Sequence, residues 1–154
     1  MSKSNEVKAP NLKLMSTSNQ MVELNKLKSK FVVLYFYPKD NTSGCTIETN
    51  DFNKLLSKFK KYDCEIFGIS KDSIDSHNKW SKKLKLKFEL LSDENKTSLK
   101  AYKVWAKKKF MGKEFLGTVR STFIIKNKKI IKEWRNVRVA GHAEEVLDFV
   151  KNYK

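Results

Sequence analysis

Cys45 closes the polar stretch Pro38-Lys39-Asp40-Asn41-Thr42-Ser43-Gly44-Cys45, and Glu48 follows three residues later. Beyond it the apolar residues Ile47, Phe52, Leu55, Leu56 and Phe59 recur at helical spacing, which puts Cys45 in the first turn of a helix. The first N–H groups of a helix have no intrahelical partner, and the positive end of its dipole stabilises an anion. A cysteine there is favoured as the thiolate, the nucleophilic form of the side chain. The competing reading is a small buried hydrophobe, which the polar loop around Gly44 and Thr46 does not explain. Thr42 offers a hydroxyl that could orient a substrate or merely cap the helix. Glu48 could simply favour the helix start.

The elements that must hold this loop are legible on both sides of it. Phe31 to Tyr37 is a continuous apolar and aromatic run, expected as a central strand covered on both faces and parallel to its neighbours. Leu12 to Met15 and Met21 to Leu24 alternate as an opening hairpin, and residues 1–10 are expected to fray. After the cysteine helix, which runs to about Lys61, come a strand at Cys64 to Ile69, a lysine-rich helix at Ser73 to Lys85 and a strand at Phe88 to Leu91. That order is βαβαβ. A short helix within Asp93 to Tyr102 follows, then a hairpin of Thr118 to Ile125 and Lys129 to Trp134, and a last helix after Gly141 in which Val146, Leu147 and Val150 form an apolar stripe. The sum is one α/β domain over 1–154, a mixed central sheet with helices on both faces and an N-terminal β-hairpin extension. Thioredoxin-like folds are built this way.

Composition narrows the function classes. The 154 residues include 33 basic and 17 acidic side chains, a formal charge of +16. Such a balance raises the possibility of a non-catalytic basic nucleic-acid-binding protein. However, the lysines are spread along the whole chain, and only Arg120, Arg135 and Arg138 carry the guanidinium fork suited to bases and phosphates. No specific nucleic acid is expected. Two cysteines cannot build a disulfide scaffold, and no apolar run approaches the roughly 18 residues of a membrane span. With no apolar leader at the start, the expected location is the cytoplasm. Cys45, Cys64, His77 and His142 show no ligand-pair spacing for zinc, and Cys-x-x-Cys chemistry would need a cysteine at Glu48. His77, on the polar helix, and His142, at a helix start, are expected at the surface or as caps, although a Cys–His nucleophile pair stays open on sequence.

Pro38-xxx-Thr42-xx-Cys45 matches the active-site pattern of peroxiredoxins. Gly44-Cys45-Thr46-Ile47-Glu48 through Phe52 resembles their bacterioferritin comigratory protein branch, also called peroxiredoxin Q. The similarity continues through Gly68-Ile69-Ser70, Leu91-Ser92-Asp93, Val104-Trp105, Met111-Gly112-Lys113 and Gly117 to Phe123. The resemblance implies a thiol-dependent peroxidase acting on hydrogen peroxide and alkyl hydroperoxides, with no metal, haem or flavin cofactor. It implies Cys45 as the peroxidatic nucleophile, with Thr42 orienting the O–O bond and Arg120 placing a charged donor fork near the sulfur. Pro38 would shield and stiffen the loop, Gly44 flanks the nucleophile, and Glu48 would support the arginine. The rival for Arg120 is a solvated strand arginine beside Thr122 and Ile124. Trp105 and Phe110 are expected as core or pocket wall.

One departure matters for the cycle. Many members of the branch carry a resolving cysteine five residues after the first, where this chain has Asn50, and residues 73–86 contain none. Cys64 lies beyond about 16 helical residues that rise roughly 24 Å, against the ~7 Å Cα separation a disulfide tolerates. It reads as a buried strand cysteine. The expectation is a one-cysteine cycle, its sulfenic acid reduced by thioredoxin or another external thiol. A peroxide sensor that relays oxidation to a partner shares the first step. The resemblance favours a monomer.

Overall fold

The computed structural model describes residues 7–154. Ten strands and four helices follow in the order β1 (Val7–Lys8), β2 (Lys13–Ser16), β3 (Met21–Glu23), β4 (Phe31–Phe36), α1 (Ser43–Lys60), β5 (Cys64–Ser70), α2 (Ile74–Leu84), β6 (Glu89–Ser92), α3 (Thr97–Ala101), β7 (Trp105–Phe110), β8 (Lys113–Thr118), β9 (Ser121–Lys126), β10 (Lys129–Arg135) and α4 (His142–Asn152). Eight of the strands form one sheet in the order β1-β10-β9-β4-β5-β6-β2-β3. β4, β5 and β6 are parallel, as a βαβαβ unit requires.

β4 is buried at all six positions, and its alternating side chains supply two cores. Phe31, Val33 and Tyr35 face Phe52, Leu56 and Phe59 of α1, Trp80 of α2, and Val146 and Val150 of α4. Val32, Leu34 and Phe36 face Leu12, Leu24, Leu99 of α3 and Tyr102. Period-two alternation along one strand thus divides the molecule into two apolar layers. The three long helices cover one face, while short α3 and the N-terminal segment cover the other. The expectation that β4 would be parallel to its neighbours holds only toward β5. On its other side β9 runs antiparallel, because the chain enters it at Ser121 opposite Phe36, the C-terminal end of β4.

Of the start expected to fray, residues 1–6 lie outside the described residues. Val7 and Lys8 pair with Ile130 and Lys129 of β10, and Ala9 is fully buried. A second finding is the two-stranded sheet of β7 and β8, a hairpin for which the sequence pattern gave no strand. Met111 and Gly112 close it with φ of 53° and 79°, the pair of positive angles that a two-residue hairpin turn demands. Lysines interrupt its alternation, which hides it from a hydrophobic scan. Phe110, expected as core or pocket wall, is instead 68% exposed near the hairpin tip. Trp105 at its root is half-buried against the second core.

Gly68 of β5 lies directly beneath Tyr35. A Cβ at Gly68 would fall 2.6 Å from Tyr35 Oη and 2.8 Å from Leu90 Cδ2. The missing side chain lets the tyrosine ring lie flat, stack on Phe52 at 4.8 Å and share a 2.9 Å hydrogen bond with Thr49 of α1. Those contacts set the height of α1 over the sheet.

Candidate active site

The loop between β4 and α1 emerges at the C-terminal edge of the parallel strands and feeds directly into the helix. Thr42 is extended at the N-cap, so Ser43, Gly44 and Cys45 form the first turn. The Thr42 side chain makes no capping bond. Its carbonyl accepts from Thr46 N at 2.9 Å, and its hydroxyl donates to Lys39 O at 2.9 Å. The hydroxyl hydrogen is thereby committed, leaving the oxygen free to accept from a bound molecule.

Arg120 reaches Cys45 from the far side of the sheet sequence. It was expected within a strand running from Thr118, but the ladder breaks at Val119 and Arg120. There Val119 N bonds Val104 O, and Arg120 O accepts from Val137 N. Leaving the ladder frees the side chain to cross beneath the start of α1. Nη2 donates to Cys45 Sγ at 3.3 Å and Nη1 to Glu48 Oε1 at 2.7 Å. The fork therefore bridges the thiol and a carboxylate one helical turn away, a geometry that a lysine's single nitrogen cannot reproduce. Gly44 makes room for it, since a Cβ there would sit 3.3 Å from Nη2. The structure thus brings Cys45, Glu48, Gly44 and Arg120 together, with Thr42 on the exposed rim and Pro38 accepting through its carbonyl from Lys71 Nζ at 3.0 Å.

The electrostatics follow from burial. Burial raises the Glu48 carboxyl to about 7, against the opposing pull of Arg120. Its Oε2 is buried with no hydrogen-bond partner among the described residues, so only half of the carboxylate is compensated. Burial lowers the Arg120 pKa, but Glu48 and Cys45 more than offset this, and the guanidinium stays charged. Lys108, whose Nζ donates to Thr118 O at 2.9 Å, has its ammonium pKa lowered by burial and then by Arg120.

Cys64 begins β5 opposite Phe31, the first residue of β4. It therefore lies at the end of the parallel strands remote from the loop. Both cysteines are free. Asn50 lies on α1 one and a half turns beyond Cys45.

The two histidines, expected at the surface or as caps, are both buried. α2 is polar around most of its circumference, but His77 shares its inward face with Trp80 and meets Asp40 of the β4–α1 loop. His142 packs under Trp134 and bonds Thr122 Oγ1 at 2.8 Å through Nε2; burial lowers its pKa, with Glu145 partly opposing. The hydrogen-bond donor at Cys45 Sγ is Arg120 rather than a histidine. The ligand atoms of Asp40, Asp72 and His77 lie within 4.8 Å of one another. Each already faces a hydrogen-bonding partner, which makes the cluster a closed network rather than an open cation cage.

A thioredoxin-like sheet whose first crossover helix begins at a cysteine, with an arginine fork from a later segment on its sulfur, defines a peroxiredoxin. The comparisons agree. The AhpC/TSA family profile matches residues 6–134. The chain is 44% identical over 146 residues to peroxiredoxin Bcp of Bacillus subtilis (strain 168), covering 94% of this chain and 93% of the relative. Among solved structures, Xanthomonas campestris peroxiredoxin Q superposes with a TM-score of 0.88 at 39% identity, over 92% of this chain and 90% of the other. The Xanthomonas campestris bacterioferritin comigratory protein, solved as trapped intermediate and ligand complexes bearing on its alkyl peroxide reduction activity, gives 0.86 at 40% identity, covering 91% and 90%. The chain belongs to the AhpC/TSA family, among the Bcp and peroxiredoxin Q thiol peroxidases. No helix among the described residues is long and apolar enough to cross a membrane.

Proposed function

We propose that this chain reduces hydrogen peroxide and alkyl hydroperoxides through a sulfenic acid on Cys45, in a one-cysteine cycle completed by an external thiol. The observation that carries the reading is the Arg120 fork, one nitrogen 3.3 Å from Cys45 Sγ and the other clamped by Glu48. The Cys45 thiolate attacks the terminal peroxide oxygen. The S–O bond forms as the O–O bond breaks, and the departing oxide takes a proton to leave as water or an alcohol. Arg120 stabilises charge on the sulfur before attack and on the departing oxygen during it. Thr42 Oγ1, its own hydrogen held by Lys39, accepts from the peroxide O–H and aligns the O–O bond with the sulfur. Pro38 and Gly44 keep the loop stiff and the fork close.

Resolution by thioredoxin or another thiol is supported by the position of Cys64 at the opposite strand ends and by Asn50 where a resolving cysteine would sit. We assign the cycle to the reducing cytoplasm, where such thiols are available, and to a monomer. Stopped-flow oxidation of the reduced protein by one equivalent of hydrogen peroxide, followed by intact mass, tests the reading. A single added oxygen on wild type, absent in Cys45→Ser, is expected. A mass loss of two hydrogens, marking an internal disulfide, would refute the one-cysteine cycle.

A further inference from the structure

The hairpin of β7 and β8 stands outside the main sheet, its strands paired with each other and with no third strand among the described residues. Four of the eight large apolar side chains left exposed in the described residues lie on it. Phe110 and Met111 are at the tip, 68% and 87% exposed, and Phe115 and Leu116 follow on the returning strand, 47% and 57% exposed. Lys107, Lys109 and Lys113 are exposed among them, against a single acid, Glu114. Apolar side chains scattered singly over a surface need no explanation, whereas a concentration of them rimmed by polar groups marks a contact.

The register shows what kind of contact. Lys107 pairs with Leu116 and Lys109 with Glu114, so these four share one face of the ribbon; Lys108 pairs with Phe115 and Phe110 with Lys113, which share the other. Met111 closes the turn between the strands. The apolar surface therefore lies on both faces and at the end. A protein partner is a rigid surface that covers one face, while fluid hydrocarbon surrounds a tip on all sides. So few residues also fall short of the roughly 800 Å² per partner that a stable protein interface buries. A second copy would in addition bring the same formal charge of +16. An anionic leaflet suits both features, since its headgroups attract the lysines while the phenylalanine and methionine side chains enter the acyl boundary.

We propose that the tip of the β7–β8 ribbon is a peripheral docking site for an anionic lipid bilayer, with Phe110, Met111 and Leu116 entering the leaflet and Lys107, Lys109 and Lys113 on its headgroups. Each six-residue strand runs about 20 Å from tip to root, and Arg120 follows the root by two residues. Docking by the tip thus holds the Cys45 site in the water beside the leaflet.

The test measures co-sedimentation of the full chain with large unilamellar vesicles of phosphatidylcholine, alone or mixed with phosphatidylglycerol. Wild type should prefer the anionic vesicles. Phe110→Thr/Met111→Asn leaves the charge untouched and suits the strand and the turn before Gly112. It should weaken binding to anionic vesicles by about tenfold or more, while oxidation by hydrogen peroxide without vesicles stays at the wild-type rate. Leu116→Thr, on the other face, should weaken binding by about threefold, a loss that a one-sided contact would not produce. Replacing Lys107, Lys109 and Lys113 by glutamine should cost about tenfold or more. The same replacement at Lys58, Lys61 and Lys151, in the cleft between α1 and α4, should cost at most about threefold. Full binding by the tip variant or by Leu116→Thr, or equal losses in the two lysine triplets, would mean that diffuse charge or a one-sided contact is at work, and would overturn the proposal. Wild type that ignores anionic vesicles would overturn it as well; a dimer in sedimentation velocity that Phe110→Thr/Met111→Asn dissolves would then assign the tip to a second copy.

Discussion

Cys45 and Cys64 are buried to nearly the same degree, 1% and 2% exposed, yet their sulfurs face opposite chemistry. Cys45 Sγ accepts from a guanidinium. Cys64 S–H donates to Glu65 O at 3.7 Å, and burial together with the Glu65 and Asp63 carboxylates pushes its thiol up to about 12. A sulfur that donates must keep its hydrogen, whereas one that accepts has no need of it. Burial alone therefore does not make a cysteine inert. The sign of its nearest polar neighbour decides, and here a helix start with an arginine stands against a strand start beside two acids.

Exchanging the cysteines for serine breaks the comparison most completely. Cys45→Ser should abolish oxidation by peroxide, while Cys64→Ser should stay within about twofold of wild type, because its thiolate is barely populated at neutral pH. Comparable losses in the two variants would mean that burial, not the neighbouring charge, governs reactivity.

Arg120→Lys asks whether charge suffices without the fork. A single ammonium cannot reach Cys45 and Glu48 at once, so the oxidation rate should fall by about 10²-fold, the order lost with one preorganised donor. A rate near wild type in stopped-flow fluorescence would show that any cation serves.

Glu48→Gln should produce the smallest change, visible in stability rather than rate. Glu48 releases its proton near 4.5 in the unfolded chain and about 7 when folded. Between those values the folded state holds the extra proton, so this contribution is present at low pH and falls as pH rises through the window. Above 7 it is flat. Urea titrations at pH 5 and pH 8, in a Cys45→Ser background to silence the thiol, should show Glu48→Gln losing less stability than its parent on going to pH 8. The difference should be at most a few kcal/mol. Equal slopes would place the Glu48 proton elsewhere.

Much of this arrangement is legible in the chain because its signals are local. The apolar run at Phe31 to Tyr37, the helical spacing after Cys45 and the Asn127-Lys128 hairpin turn each specify their element from neighbouring residues, and the structure forms all three. The peroxiredoxin pattern names Thr42, Cys45 and Arg120 in order. What local pattern could not supply was pairing across the fold. His77 looks like one more polar residue on a lysine-rich helix, and only the folded chain sets it against Asp40, 37 residues earlier. His77 and Trp80 at i and i+3 on α2 were the available hint, a narrow inward stripe on an otherwise charged helix. The antiparallel partner of β4 and the break in the ladder at Arg120 are likewise matters of topology. So is the β7–β8 hairpin, whose alternating lysines conceal strand periodicity.

The glycine beneath Tyr35 ties together positions that lie 33 residues apart in the chain. No side chain fits at Gly68 unless the tyrosine moves, and the tyrosine cannot move without loosening its hydrogen bond to the helix whose first turn holds Cys45. Substitutions at these two sites are therefore coupled: a larger residue at 68 calls for a smaller one at 35, and either change alone would leave α1 poorly seated. A scaffold contact well away from the peroxide thus narrows the mutational routes open to the enzyme.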